Sequence, residues 1–194
     1  MAQSPKKVEE NVEKQPWETA LGTFLETFSL NSDGIGLFAL QLQYDVDDIT
    51  TVAAEALTGG GDDKKCDMLW LDTDRGMAVI AQCYMSTRAR LSAKSNRASD
   101  LNTAISWLLV RPLEELPEGL KGRASELRDA ITTSKLEQFH VWYVHNVPES
   151  ANCKEELTTV AHNIKQILER ISPQNTISVI DSEIGSTKLA THLQ

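Results

Sequence analysis

Asp67 and Gln82 are the residues whose types and setting most suggest chemistry in this chain. They belong to CDMLWLD (66–72) and MAVIAQCY (77–84), two apolar runs joined by TDRG. Such runs read as the arms of a β-hairpin, and a polar group within them costs free energy unless something pairs with it. If Asp74 and Arg75 are the central turn residues, residue 73 faces 76. Asp67 then falls opposite Gln82, both side chains on one face. Tyr84 shares that face, with Leu69, Leu71 and Ile80 along the rest of it. A slip of one residue would separate the pair across the sheet. A carboxylate and a carboxamide oxygen so placed can hold a hard divalent cation, with water completing the shell. Such a cation activates a water and stabilises a phosphoryl oxygen in hydrolysis. The plainer alternative sets both residues at strand ends, Asp67 bonding loop amides and Gln82 satisfying backbone groups.

The elements that position them follow from periodicity. WETALGTFLETFSL puts Trp17, Leu21, Phe24, Leu25 and Phe28 at helical spacing. A second helix begins after Ser32 or Asp33, and a third is capped by Asp47 or Asp48 and stopped by Thr58 and three glycines. The second hairpin arm is apolar on both faces, as in a strand covered from both sides. SDLNTAISWLLV reads as a helix capped by Ser99, and 118–133 as a further helix or helical connector. KLEQFHVWYVHNV (135–147) reads as a third strand. A long helix with Leu157, Val160, Ile164, Ile167, Leu168 and Ile171 inward then leads to a last strand, NTISVIDSEI (175–184). The expected fold class is α/β: a mixed central sheet of about four strands flanked by helices, with an N-terminal helical segment. The hairpin should be antiparallel and the later βαβ unit parallel. Residues 1–15 read as a loosely ordered tail and 16–194 as a single domain.

Composition excludes several classes. No apolar run approaches the roughly 20 residues that span a bilayer, and the N-terminus has no secretory apolar segment. Three cysteines without CxxC spacing argue against structural zinc and a disulfide scaffold, leaving a reducing cytoplasm as the default. The net charge of −9 opposes indiscriminate binding to nucleic acid. Arg88, Arg90, Lys94 and Arg97 nonetheless fall in ten residues without an acid, either a solvated loop or a local phosphate-binding surface. His140 and His145, five apart in a strand, point to opposite faces and share no metal. Cys83 reads as a small core residue, and Trp70, Trp107 and Trp142 as core packing. GGGDDKK lacks the GK[ST] ending of a nucleotide loop.

The stretch GGGDDKKCDMLWLD, followed after a turn by VIAQCYM, resembles the N-terminal segment of the abortive-infection phage-resistance (AIPR) family. The resemblance extends more loosely to the preceding helices and to the EIG near the end. It implies a restriction-endonuclease-like fold of the PD-(D/E)xK kind and a metal-dependent nuclease acting on nucleic acid, DNA above all, in anti-phage defence. It further implies Asp67 as the metal-binding acid, Gln82 in the place of the second acid, Glu55 as an accessory acid, and magnesium or manganese as cofactor. Family proteins are generally longer, so the chain reads as the N-terminal domain of a larger defence protein. Tyr84 stands where that motif has lysine, and a phenol carries no cation at neutral pH. Either a cation arrives from elsewhere, with Lys64, Lys65, Arg88 and Lys94 as candidates, or the domain is a catalytically silent binder or assembly module. A soluble interaction domain without a nucleic-acid role is the third possibility.

Overall fold

Residues 14–58 and 64–192 are described by a computed structural model of the chain. Residues 59–63, which include the three glycines, and residues 1–13 of the expected tail lie outside the described residues. The hairpin forms in the expected register. β1 (Met68–Asp72) and β2 (Met77–Tyr84) pair antiparallel, with Met68 opposite Ala81 and Asp72 opposite Met77. The turn fixes this alignment. Asp72 Oδ1 accepts from the amides of Asp74 (3.1 Å) and Arg75 (3.0 Å), and Gly76 takes the positive φ of +66° that a side chain would resist.

β3 (Gln138–His145) then adds parallel to β2, and β4 (Ser178–Ile184) adds parallel to β3, giving the order β1-β2-β3-β4. Parallel neighbours need a crossover that returns the chain to the starting edge. Helices supply it both times, and the sheet is mixed as expected. One face carries Leu69, Ala78, Ile80, Phe139, Val141 and Tyr143. It is covered by α4 (Ser95–Ser99), α5 (Leu101–Ile105), a π-helical turn (Ser106–Val110), α6 (Glu118–Thr132) and α7 (Ala151–Ile171). The other face carries Met68, Trp70, Val79, Ala81, Cys83, Trp142 and Val144. There α1 (Pro16–Thr27), α2 (Gly34–Tyr44), α3 (Ile49–Ala56) and α8 (Ser186–His192) pack. Ile80, Phe139 and Val141 are fully buried, each such side chain contributing about 1.5–3 kcal/mol. Gly36 lets α2 lie directly on the hairpin, since a Cβ there would stand 2.7 Å from Cys83 Sγ.

Asp48 caps α3 as expected, its Oδ1 accepting from Thr51 N at 3.0 Å. The helix expected to start at Ser99 begins at Ser95 instead. Ala98 is already buried there, and the Ser99 hydroxyl donates to the Asn96 carbonyl inside the first helical stretch, so it caps nothing. The same segment ends in the π-helical turn. The Arg128 guanidinium donates to the carbonyls of Trp107 (3.1 Å), Leu108 (2.7 Å) and Arg111 (2.7 Å), which the helix leaves without partners. Trp107 is a half-buried rim residue rather than core, with Lys64 and Arg111 over its ring at 4.6 and 4.9 Å. Ile171 is partly exposed because the last turn of α7 runs past the apolar surface. α8 has no counterpart in the sequence pattern, which gives EIGSTKLATHLQ no element beyond the strand. Among the described residues no helix is long and apolar enough to cross a membrane.

Candidate functional site

The strand register lines up more than the hairpin pair. Asp67 precedes β1 opposite Gln82, its amide donating to Ala81 O at 3.0 Å. Gln82 has Tyr143 as its partner in β3, and Tyr143 has Glu183 in β4. Asp67, Gln82, Tyr143 and Glu183 therefore form one polar row across the sheet, on a single face. The next row holds Tyr84 beside His145. These rows lie at the carboxyl ends of the three parallel strands. Open α/β sheets place ligand sites at that end.

At one side of the row, Asp67 and Gln82 meet directly. Gln82 Nε2 donates to Asp67 Oδ2, and the same oxygen accepts from Cys83 N at 2.6 Å. Both side chains are largely removed from water, at 8% and 5% exposure. Gln82 Oε1 is buried and accepts no hydrogen bond among the described residues. An unpaired buried carbonyl is costly, about 1–3 kcal/mol, so it marks where a donor or a cation would be accepted. The Asp67 carboxylate also reaches the opposite face through the backbone. Burial pushes the Cys83 thiol well up, and the nearby Asp67 charge adds to that push. Cys83 is therefore an inert core thiol, as read from its position.

The other side of the row is closed. His145 is fully buried; its Nδ1 lies 2.9 Å from Val147 O and its Nε2 3.0 Å from Glu183 Oε1. Both ring nitrogens face acceptors, so the pair closes when the ring carries two protons or the carboxyl carries one. The Glu183 oxygens also accept from Ser150 N, at 3.0 and 3.1 Å, which fastens the start of α7. Tyr143 donates its hydroxyl to Lys94 O at 3.3 Å, and burial pushes that phenol far up. His140, on the opposite face, pairs with Gln138 Oε1 at 3.0 Å, so the two histidines share nothing.

The basic segment borders these rows. Ser86 and Asn146 exchange two hydrogen bonds, 2.7 Å from Ser86 N to Asn146 Oδ1 and 2.9 Å from Asn146 Nδ2 to Ser86 O, which pin its entry. The buried Ala93 and the Tyr143–Lys94 bond pin its exit. Arg88, Arg90 and Lys94 stand exposed between and beside these anchors. Among the described residues none of the four cations pairs with a carboxylate, whereas Lys65, Arg75, Arg111 and Lys121 do. Arg97 instead lies over the Tyr84 ring, its guanidinium carbon 4.9 Å from the centre. Of the candidate substitute cations, Lys64 lies on Trp107 and Lys65 reaches Asp100 at 3.8 Å.

Glu55 is placed elsewhere. It lines a surface groove of about 460 Å³ beside the edge strand β1, with Leu69, Leu71, Glu118 and Arg123. A second groove, about 370 Å³, lies past the closed end of the row between Lys154, Asp181, Glu183 and Lys188. Sequence reading missed Tyr143 and Glu183 as members of the row. Their signal was present, a polar residue near the end of an otherwise apolar strand, but aligning them needs the register of parallel strands.

The donors of the Asp67–Gln82 pair suit a small hard cation. Each offers oxygen, and magnesium commonly binds through one or two protein oxygens while keeping several waters. Among the described residues no group of three or more His, Cys, Asp or Glu side chains converges for metal binding. A site here would thus have few protein ligands, Asp67 and Gln82, both set in the largely buried end of the row. No protein-family model, curated protein or solved structure matches the chain.

Proposed function

We propose that this chain is a nuclease-like domain of the restriction-endonuclease-like kind, acting on the phosphodiester backbone of nucleic acid in a cytoplasmic anti-phage role. The observation that carries the reading is the in-register meeting of Asp67 and Gln82, beside a basic segment; among the described residues Gln82 Oε1 has no partner and those cations have no acidic one. The antiparallel hairpin followed by a helical crossover and a parallel strand supports it. In this reading Asp67 and Gln82 hold magnesium or manganese. When bound, that cation supplies an acidified water and charge stabilisation at a phosphoryl oxygen. Arg88, Arg90 and Lys94 hold the adjoining phosphates, a contribution that falls steeply with salt. The apolar cover of Leu69 and Ile80 keeps the Asp67 carboxylate in a low-dielectric setting where its charge acts strongly.

One observation favours a silent version of the same fold, used for binding or assembly. Tyr84 puts no cation on β2, and Asp67 Oδ2 already accepts two hydrogen bonds. Incubating the protein with plasmid and labelled oligonucleotides, with magnesium or manganese, separates the two. Cleavage that needs the metal and disappears in Asp67→Ala is expected. Salt-sensitive binding without cleavage leaves the silent version. Neither binding nor cleavage overturns both and favours an interaction module.

A further inference from the structure

The meeting of Tyr84 and Arg97 answers the question that the missing motif lysine raises. Tyr84 lies two residues beyond Gln82 on the same strand face, so its ring borders the polar row. Arg97 comes from the other direction, on α4, and lays its guanidinium over that ring. It is half-buried, and among the described residues it has no carboxylate partner. Its charge also reaches Tyr143, the strand partner of Gln82, where it opposes the upward push of burial on that hydroxyl. A guanidinium stacked on an aromatic ring keeps its planar fork of N–H groups oriented and available at the edge. That geometry matches the paired oxygens of a phosphate.

We infer that Arg97, presented by the Tyr84 ring, is an anion-binding group of this site and holds a phosphodiester oxygen next to the Asp67–Gln82 pair. The inference rests on the nucleic-acid reading above. It assigns Tyr84 a role of its own, as the platform for a cation delivered by a helix instead of by β2. Arg97 binds the substrate; Tyr84 is a positioning residue.

Fluorescence anisotropy with a labelled DNA duplex, over a series of salt concentrations, tests it. Arg97→Ala is expected to weaken binding about tenfold at low salt and to reduce the salt slope by about one phosphate's worth. Tyr84→Ala is expected to do nearly the same, and Tyr84→Phe to keep what Tyr84→Ala loses, because the ring and not the hydroxyl is the platform. Restoring a cation on the strand, as Tyr84→Lys in the Arg97→Ala background, should recover most of the affinity. It should not recover the loss caused by Arg88→Ala with Arg90→Ala. If Tyr84→Ala melts, Arg97→Ala, Arg97→Lys and Tyr84→Phe still carry the test. A wild type that binds, with Arg97→Ala matching it in affinity and salt slope, overturns this inference alone. A wild type that binds no nucleic acid overturns the reading beneath it as well.

Discussion

The two ends of the polar row are built from similar parts and finished differently. At the β3–β4 end, His145 and Glu183 are buried together, and each of their polar atoms has a partner: Val147 O, Ser150 N and one another. At the β1–β2 end, Asp67 and Gln82 are buried almost as deeply, yet Gln82 Oε1 has none among the described residues. A fully satisfied buried network rigidifies the fold, and one left short by a single bond carries a penalty that only a further group can relieve. The first end is therefore fastening. The second is where a ligand has something to gain.

The largest effect that would break this contrast lies at the satisfied end. Glu183→Ala leaves His145 and Ser150 N without their shared acceptor, and removing one partner of a buried pair costs about 3–5 kcal/mol. Urea unfolding should show the midpoint falling with the slope unchanged; a loss under about 1 kcal/mol would mean that the closed end fastens little. Next comes Asp67→Asn. It should cost about 1–2 kcal/mol, the weakening of hydrogen bonds made to a charged oxygen. It should also abolish any rise in melting temperature on adding magnesium or manganese, a rise expected only where the folded state binds the ion. A metal-induced shift that survives in Asp67→Asn would place the cation away from this pair.

Gln82→Leu sharpens the comparison from the other side. It removes the oxygen that lacks a partner among the described residues, along with one donor to Asp67, so stability should change by less than about 1 kcal/mol, against the much larger loss at Glu183. A loss as large as that of Glu183→Ala would show that the carboxamide is fastening too. The smallest effect concerns Glu149, which belongs to the closed end. Burial pushes its carboxyl up, but hydrogen bonds from Thr187 and from the amides of Lys188 and Gly185 outweigh that and hold it below its ordinary value of about 4.5. Its contribution is thus fully present above that ordinary value and is lost as pH falls through the lowered one. Stability measured against pH should drop more gently on the acid side in Glu149→Gln. An unchanged acid limb would remove Glu149 from that fastening.

The hairpin was legible because its turn chemistry and side-chain alternation are local, and local rules set the Asp67–Gln82 register. The α/β class and the parallel pair of the later βαβ unit followed from the alternation of elements, whereas the parallel addition of β3 to β2 emerges only in the fold. What the sequence could not convey was non-local. Tyr143 and Glu183 join the row only once β3 and β4 are aligned beside β2. Arg97 reaches Tyr84 only because its helix begins four residues before the serine that looked like a cap. Glu55, close to the motif along the chain, faces a groove beside the sheet edge, because the third helix turns that side chain toward β1 and α6.

The spatial order of the strands repeats their order along the chain. Each newly synthesised strand can dock on the one before it as it leaves the ribosome, with no place to be held open for a later segment. The last addition, β4, brings Glu183 to His145. A nascent chain stopped after β3 would therefore hold the Asp67–Gln82 contact while its buried histidine still waited for an acid. Hydrogen exchange on stalled chains should find the hairpin amides protected before those of α7.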